Sequence, residues 1–542
     1  MWARMHSLRL ASAASATVAV SLLPKNAEAR QSHNPSRGGD KWFMASQPSH
    51  CEKVKKISSK VTAPPPKDRM VVKLADVVHH QASRHNLTDV YTKGKLIGEG
   101  GFGKVFLAKH RALRHEVAVK TMERAPEKDE ELFHEIDSLL KLDHPHIVNL
   151  LAYFKEQKVI HLVFEVCRGP ELYDHLSTKL DEGTIMPEWE TATVMRHMLK
   201  AVRGCHTNLM GHYDIKPENF MYAGKDLDLL KMIDLGASSG FKMNYMKGKS
   251  AGTPEYMAPE FHDGIYGPAG DVFSCGVVLF VLLTGELFFP GGQDFVSLAK
   301  MSKDRKWMLN RLKSAQAEYK FSDDAMDLLT RMLKLDRHRR ISVRDALEHP
   351  FLSKAVGHER FKGDGGASTD HQMHSLIYFR RFSEYPIVKR AARLVLAHIL
   401  PRVLARPQRA AFRKTDRDGY GELSAEAFET WFVKHGVAIP DDLDEIVAGV
   451  NVGCNGYIHS IEYLAAGLPA TATKDPRYCK AVFNILDADE DGVISSHDLH
   501  EVFRSCPEHA WKQALAEVCP DKAPLTWDRF SALMDLPSQS WA

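Results

Sequence analysis

The chain contains no CxxC pair: its eight cysteines stand singly. This gives neither a disulfide framework nor a zinc-ligand spacing, so a reducing compartment is the expectation. It contains no uninterrupted apolar run of the roughly 18 residues that a membrane helix needs, so no membrane span is expected. No glycine follows the initiator Met, where Trp2 stands, and this excludes amino-terminal myristoylation for this start. Net charge of one sign is nearly absent too, at +3 overall, and no nucleic-acid partner is expected. The balance hides a split, because residues 403–542 carry 22 Asp plus Glu against 13 Lys plus Arg, or −9, which leaves +12 for residues 1–402. Two oppositely charged halves attract each other.

What is there is the composition of an ordinary globular protein, 44% hydrophobic and 26% charged over 542 residues. That length holds about three to four units of roughly 100 to 200 residues. Arg4 and Arg9 precede the mostly apolar stretch Leu10 to Leu23, and Ala27-Glu28-Ala29 is a small-residue cleavage candidate. The pattern resembles a secretory signal peptide, and its Ala/Ser-rich, acid-poor character equally fits a transit-like or disordered leader. The expected location is cytoplasmic, with secretory or organellar targeting as the alternative. Residues 1–88, with Ala63-Pro64-Pro65-Pro66, are expected to form a mobile, disordered or leader-like extension that carries no function.

From residue 90 to 352 short β-type runs such as Val105-Phe106-Leu107, Val117-Ala118-Val119 and Val159 to Val166 come first, and long helical patterns follow. A small β-rich lobe and a helical lobe are predicted. A linker over 353–373 contains Gly363-Asp364-Gly365-Gly366. A basic amphipathic segment over 374–405 leads into helix-loop-helix patterns over 406–537, whose loops begin near 416, 451, 487 and 518, that is 35, 36 and 31 residues apart. That period suits paired EF-hands in an all-α domain.

Gly98-Glu99-Gly100-Gly101-Phe102-Gly103-Lys104-Val105 is a G-x-G-x-x-G turn. Its glycines let backbone amides approach phosphates, and Val105 continues into a strand that covers an adenine. Such a turn alone is weak evidence. Here Lys120 ends the strand Val117-Ala118-Val119, within reach of the phosphates, and Glu135 in the helical pattern Glu131 to Leu140 is placed to hold it by an ion pair. The expected ATP contacts are Ile97, Gly98, Glu99, Gly100, Gly101, Phe102, Gly103, Lys104, Val105, Ala118, Lys120 and Glu135. Glu165 and Cys167 join them, because Val163-Phe164-Glu165-Val166-Cys167 looks like a hinge that bonds adenine through its backbone, with Phe164 narrowing the rear pocket.

His212-Tyr213-Asp214-Ile215-Lys216-Pro217-Glu218-Asn219 is the most specific motif in the chain. Together with Ile233-Asp234-Leu235-Gly236 and Gly252-Thr253-Pro254-Glu255-Tyr256-Met257-Ala258-Pro259-Glu260 it resembles the catalytic and activation segments of Ser/Thr protein kinases, over about residues 91–352. The resemblance implies a bilobal α+β fold that transfers the γ-phosphate of MgATP to protein Ser or Thr. It implies that Asp214 accepts the proton of the substrate hydroxyl, that Lys216 offsets charge on the transferred group, and that Asn219 and Asp234 ligate magnesium. It also implies that Glu260 pairs with Arg340 and that Asp271 anchors the catalytic-loop backbone. Glu171 and Glu218 either contact Arg upstream of the target residue or are solvated surface acids. Three departures stand out. Tyr213 replaces the usual Arg, so activation-loop phosphorylation is not expected to be the main switch; Leu235 replaces Phe, and Phe273 replaces Trp.

An EF-hand loop supplies oxygens at positions 1, 3, 5, 7, 9 and 12, with Gly at 6 for the turn. In Asp487 to Asp498 the side chains of Asp487, Asp489 and Asp491, the Val493 carbonyl, Ser495 through water, and Asp498 fill those positions around Gly492. Asp498 is shorter than the usual Glu, which weakens two-oxygen binding of calcium. The loop at Asp416 has Tyr420 at position 5 and Ala427 at position 12; the loop at Asn451 has Gly453 at position 3, and Val518 to Arg529 has no loop Gly. One competent loop is expected. Pro386 to Leu400 places Val388, Ala391, Ala392, Val395 and Ile399 on one helical face with Lys389, Arg390 and Arg393 off it, which is either a calmodulin-type target or core packing. The order of kinase, basic junction and four hands is similar to the calcium-dependent protein kinases of plants and protists, over about residues 91–537. That family implies calcium beside MgATP, and an autoinhibitory junction that restrains the lobes until calcium reshapes the hands. The alternatives are a kinase that ignores calcium and a catalytically silent calcium-binding scaffold. The scaffold's expected mark, loss of Lys120, Asp214 or Asp234, is absent.

Overall fold

Runs of β-branched and aromatic residues form five strands, β1 (Tyr91–Gly100), β2 (Gly103–His110), β3 (Glu116–Glu123), β4 (Leu150–Lys155) and β5 (Val159–Glu165). They make one antiparallel sheet in the order β1-β2-β3-β5-β4. In the computed structural model the described residues are 70–100, 103–124, 129–235, 239–240, 246–247, 252–353, 369–416, 418–434, 439–521 and 524–535. The signal-like leader and most of the Gly-rich linker lie outside them. Alternate residues of β3, Val117 and Val119, are buried with Tyr91, Phe154 and Val163 on one face of the sheet. The helix Asp129–Lys141 lies between β3 and β4 in the chain.

A helical lobe follows. Its central helix Pro268–Thr284 is apolar all round and buried along nearly its whole length, as such a sequence requires in water. Beside it runs the helix Glu188–Thr207, of which the residues from Thr191 to Cys205 are mostly buried. A sheet lobe and a helical lobe match the expected α+β kinase architecture.

The carboxy-terminal half is helical. Helices Arg406–Thr415, Ala425–Lys434, Leu443–Val450, Ser460–Ala466, Pro476–Leu486, Ser496–Val502, Glu508–Val518 and Trp527–Asp535 alternate with loops. The loops are tied in twos by short antiparallel bridges, Glu422↔His459 with Leu423↔Ile458 and Val493↔Thr526 with Ile494↔Leu525.

Two expectations need correction. The junction is not a single helix over 374–405: helices Thr369–Ser383 and Ile387–Ile399 are separated at Pro386, whose ring removes a donor and drives the preceding residue out of the helical region. Of the two readings of that segment, its packing here is that of a core element. Lys389 and Arg393 are buried, with Lys389 over the Tyr385 ring and Arg393 donating to the carbonyls of Ala465 and Ala466. Its apolar residues share a core with Phe412, Tyr463, Val482 and Trp511. The second correction concerns the extension. Residues 70–88 are not a featureless tail, since Leu74–Arg84 and Leu87–Val90 are helices and Val77 and Val78 are buried; the apolar spacing within that stretch is what tertiary packing uses. Among the described residues no helix is long and apolar enough to cross a membrane.

Candidate active site and acidic loop

The hairpin of β1 and β2 pairs Gly100 with Gly103, and Val105 lies opposite Lys120 across β2 and β3. Gly103 has φ 120°, and a Cβ there would run into the Thr121 carbonyl oxygen. Gly101 and Phe102 lie outside the described residues, while Glu99 and Lys104 form an exposed ion pair at 3.0 Å. Ile97 is exposed beside Gly98, and Ala118 stands opposite Phe164 in the register of β3 and β5. The Lys120 ammonium lies 2.9 Å from Asp234 Oδ1. Glu135 sits on the helix Asp129–Lys141, but its side chain, and so the expected pair with Lys120, lies outside what is described.

Asp214 is the meeting point of the helical lobe's polar groups. Its Oδ1 accepts hydrogen bonds from Thr253 N at 2.8 Å and Thr253 Oγ1 at 2.7 Å. Its Oδ2 faces Lys216 Nζ at 2.9 Å and accepts from Asn219 Nδ2 at 3.2 Å. Lys216 Nζ also donates to Thr253 Oγ1, and Asn219 Nδ2 to the Asp214 carbonyl. Burial opposes ionisation of Asp214, yet the Lys216 charge and the hydrogen bonds from Thr253 and Lys216 outweigh it and hold the carboxyl below its ordinary range. With the Asn219 amide nitrogen so engaged, its Oδ1 and the Asp234 carboxylate offer hard oxygens of the kind magnesium takes.

The loop's backbone is held from beneath. Fully buried Asp271 accepts from His212 N at 2.9 Å and Tyr213 N at 2.8 Å, and His212 Nε2 bonds the Asp234 carbonyl. Tyr213 adopts φ 66°, a conformation that these contacts must stabilise. Gly252, at φ 103°, brings its backbone against the Tyr213 carbonyl oxygen where no Cβ would fit. Tyr213 packs its ring edge-on to Phe261 and Tyr266, so an aromatic pocket occupies the place of the usual cation. The expected Glu260–Arg340 pair forms, bidentate at 2.5 and 3.0 Å.

At the hinge the Glu165 carboxylate is turned away from any adenine role. It accepts from Asn149 N at 3.0 Å, pairs with Lys231 and lies 3.5 Å from Arg402, so only its backbone is available to a nucleotide. Burial resists its charge, but Lys231, Arg402 and Arg409 pull its pKa down to about 2. Burial raises the Cys167 thiol to about 11, which leaves it an inert lining. Lys231 and Arg402 were not singled out from the sequence; the one available signal was a lone lysine inside the apolar strand Leu230–Met232.

Among the described residues one group of carboxylates is close enough to hold a metal ion: ligand oxygens of Asp487, Asp489 and Asp491 lie within 4.8 Å of one another. Asp487 Oδ2 accepts from Gly492 N, while Oδ1 is buried without a hydrogen-bond partner. Burial and the charges of Asp491, Asp498 and Asp489 push its pKa up, a repulsion that a cation removes. Gly492 has φ 91°, and Val493 begins the bridge that closes the loop. Asp498 is not in the group. Its Oδ1 accepts from the Ala488 and Asp489 amides and its Oδ2 from Ser495, which closes the loop upon itself. Glu462 does the same in the loop before, accepting from Gly453 N and His459 N.

The loop at Asp416 is plugged into the helical lobe. Its carbonyls at Asp416, Asp418 and Gly419 meet Lys200 Nζ at 2.9 Å, Arg203 Nη1 at 2.6 Å and His144 Nε2 at 3.2 Å, and the Arg203 guanidinium stacks 3.6 Å over Tyr420. Burial raises Asp416 to about 7, with Lys200 opposing and Asp418 adding. A folded-state pKa above the unfolded one contributes stability in full below the unfolded value of 3.8 and loses it as pH rises through about 7. With chelator present, Asp416→Asn should therefore stabilise the fold at pH 8, by up to about 4 kcal/mol, and change little at pH 4. Parallel denaturation curves for the two proteins across that range would remove this reading.

The protein kinase domain family model matches residues 91–352. Calcium-dependent protein kinase 3 of Plasmodium yoelii yoelii is 29% identical over 422 residues, covering 77% of this chain and 75% of that protein. Calcium-dependent protein kinase 4 of Plasmodium falciparum is 27% identical over 460 residues, with 81% and 84% covered, and calcium-dependent protein kinase 9 of rice is 28% identical over 473, with 84% and 79% covered. Residues 91–352 are thus a protein kinase domain, and over about four fifths of its length the chain is similar to calcium-dependent protein kinases. As a Ser/Thr protein kinase it uses ATP with magnesium and acts on protein substrates. Two of its departures from the common kinase pattern are filled by packing: Leu235 and Phe273 are buried in the lobe core, and the Arg340 guanidinium lies 5.1 Å over the Phe273 ring.

Proposed function

We propose that this kinase is regulated by calcium and transfers the γ-phosphate of ATP to Ser or Thr with Asp214 as the base. The observation that carries the reading is the convergence of Thr253, Lys216 and Asn219 on the one Asp214 carboxylate. An ionised carboxylate so fixed accepts the hydroxyl proton as the phosphoryl group is transferred, and Lys216 offsets charge on that group. Asn219 and Asp234 would hold magnesium, which neutralises the phosphate oxygens when bound. Lys120 and the Gly98 to Val105 loop embrace the phosphates, and Ala118 with the backbone of Glu165 and Cys167 receives the adenine.

Substrates carry arginine upstream of the target residue. The support is Glu218, whose Oε2 is buried without a hydrogen-bond partner and whose pKa is raised by burial and by the charges of Asp214 and Glu171. A guanidinium relieves both.

Residues 406–537 form a degenerate EF-hand domain behind a kinase domain over 90–352. Its support is the loop-to-loop bridging and the carboxylate group, in which Asp487, Asp489, Asp491 and the Val493 carbonyl would hold calcium. Asp498 would have to release the Ala488 and Asp489 amides to join them, so affinity is lower than for a Glu at that place. The helix Ile387–Ile399 sits within its own module here, with His398 Nε2 on the Leu151 carbonyl and Arg402 reaching Glu165. This arrangement supports a released state, from which restraint requires the junction to leave the module.

The test is phosphate transfer to a basic Ser/Thr peptide by the full chain, in excess chelator and in added calcium, for the parent and Asp487→Ala. Stimulation by calcium in the parent and its loss in Asp487→Ala is expected. An equal rate in chelator and calcium for the parent would sink calcium regulation and leave the kinase reading intact.

A further inference from the structure

The helix Leu74–Arg84 precedes the matched kinase domain and is wedged between two cores. Val78 and Ala82, four residues apart and so on one face, lie in the core that contains Ile136 and Leu139 of the helix Asp129–Lys141. Val77 and, ahead of the helix, Val72 lie in the core of the carboxy-terminal module. Polar contacts follow the same division. On the kinase side His79 bridges the Tyr153 hydroxyl and Asp137 Oδ1, at 2.9 Å each. On the module side Val72 N donates to the Val452 carbonyl, Cys506 Sγ to the Val71 carbonyl and Ser505 N to Asp76 Oδ2. Arg84 reaches Glu490 at 3.9 Å, inside the acidic loop itself.

We propose that the helix Leu74–Arg84 is a positioning strap that transmits the state of the acidic loop to the helix Asp129–Lys141; the proposal rests on the calcium-regulated reading above. Ser505 and Cys506 lie on the short turn after Ser496–Val502, the helix that leaves the loop, beyond Phe503 and Arg504. Ion binding that re-angles the helices flanking such a loop moves those two residues, and with them Asp76 and Val71. The strap is rigid over its length, so the displacement arrives at His79 and Val78. Asp137 stands two positions after Glu135, roughly 200° round the same helix. A grip on Asp137 therefore holds that helix from the side opposite the Glu135 position, and sets how near that position comes to Lys120. The strap touches no substrate; it acts through the helix it holds.

Two variants of the full chain separate its faces. Asp76→Ala with Val77→Ser loosens the module face. It should remove most of the calcium stimulation, leave the rate in chelator unchanged and leave calcium binding by calorimetry intact. His79→Ala loosens the kinase face. It should raise KM for ATP in both conditions and speed amide exchange in residues 129–141 by about tenfold, whereas His79→Gln, which keeps one donor and one acceptor, restores both. A merely structural role would lower the melting temperature without moving KM or the exchange of that one helix. Full stimulation together with unchanged exchange in the module-face variant would overturn the proposal. Should the parent show no calcium stimulation at all, the calcium reading fails, and amide exchange alone decides the strap: faster exchange of 129–141 in the module-face variant upholds it, and unchanged exchange overturns it.

Discussion

Asp214→Asn should lower phosphate transfer by roughly 10²- to 10⁴-fold, the range in which a positioned general base acts, while ATP still binds. The substitution is nearly isosteric. An amide oxygen still accepts from Thr253 N and Thr253 Oγ1, which hold Oδ1 at 2.8 and 2.7 Å, so the loop keeps its shape. What is lost is the charge that Lys216 faces at 2.9 Å and with it any capacity to take a proton. Asp271, which carries the backbone of His212 and Tyr213, is untouched. Steady-state kinetics on a basic peptide, with nucleotide binding measured separately, checks both halves of the expectation. Normal turnover would remove the base assignment, and loss of nucleotide binding would show that the substitution acts on structure instead.

Arg340→Ala should destabilise the helical lobe by about 3–5 kcal/mol, the cost of stripping one partner from a buried ion pair. Both Arg340 and Glu260 are buried. The guanidinium donates to both Glu260 oxygens and also to the carbonyls of Ala269 and Lys334. Removing it strips the Glu260 carboxylate of its bidentate partner in the core, and three carbonyls, those of Ala269, Lys334 and Leu335, lose a donor. Against a total stability of roughly 5–15 kcal/mol, a loss of that size approaches unfolding at physiological temperature. Arg340→Met with Glu260→Gln should recover part of the loss, because no unpaired charge is then buried. Denaturant melts of the three variants decide it: a loss below about 1 kcal/mol for Arg340→Ala would mean the pair is solvated and not structural.

Most of the cluster around Asp214 was legible in the chain because its members lie close together in sequence. His212 to Asn219 and Gly252 to Glu260 are contiguous stretches whose residues act at fixed offsets, and they meet around Asp214 with the spacing they have in sequence. The acidic loop was legible for the same reason at Asp487, Asp489 and Asp491, but not at Asp498. There, choice between an ion and the loop's own amides depends on a balance that spacing does not encode. Glu165 was placed by its neighbours in sequence, and its side chain answered instead to Lys231 and Arg402, 66 and 237 positions away.

By itself the sequence determined the two-lobed kinase domain, the segments that converge on Asp214, and a helical half with one three-carboxylate loop, since each depends on residue type at short range. Only the tertiary structure decided what touches across long separations: the break of the junction at Pro386 and the burial of Lys389 and Arg393, the seating of the Asp416 loop on Lys200 and Arg203, and the ordering of residues 70–88 between two cores. Short-range periodicity tells which face of an element is apolar, whereas the surface that covers that face is set by packing of segments hundreds of residues apart.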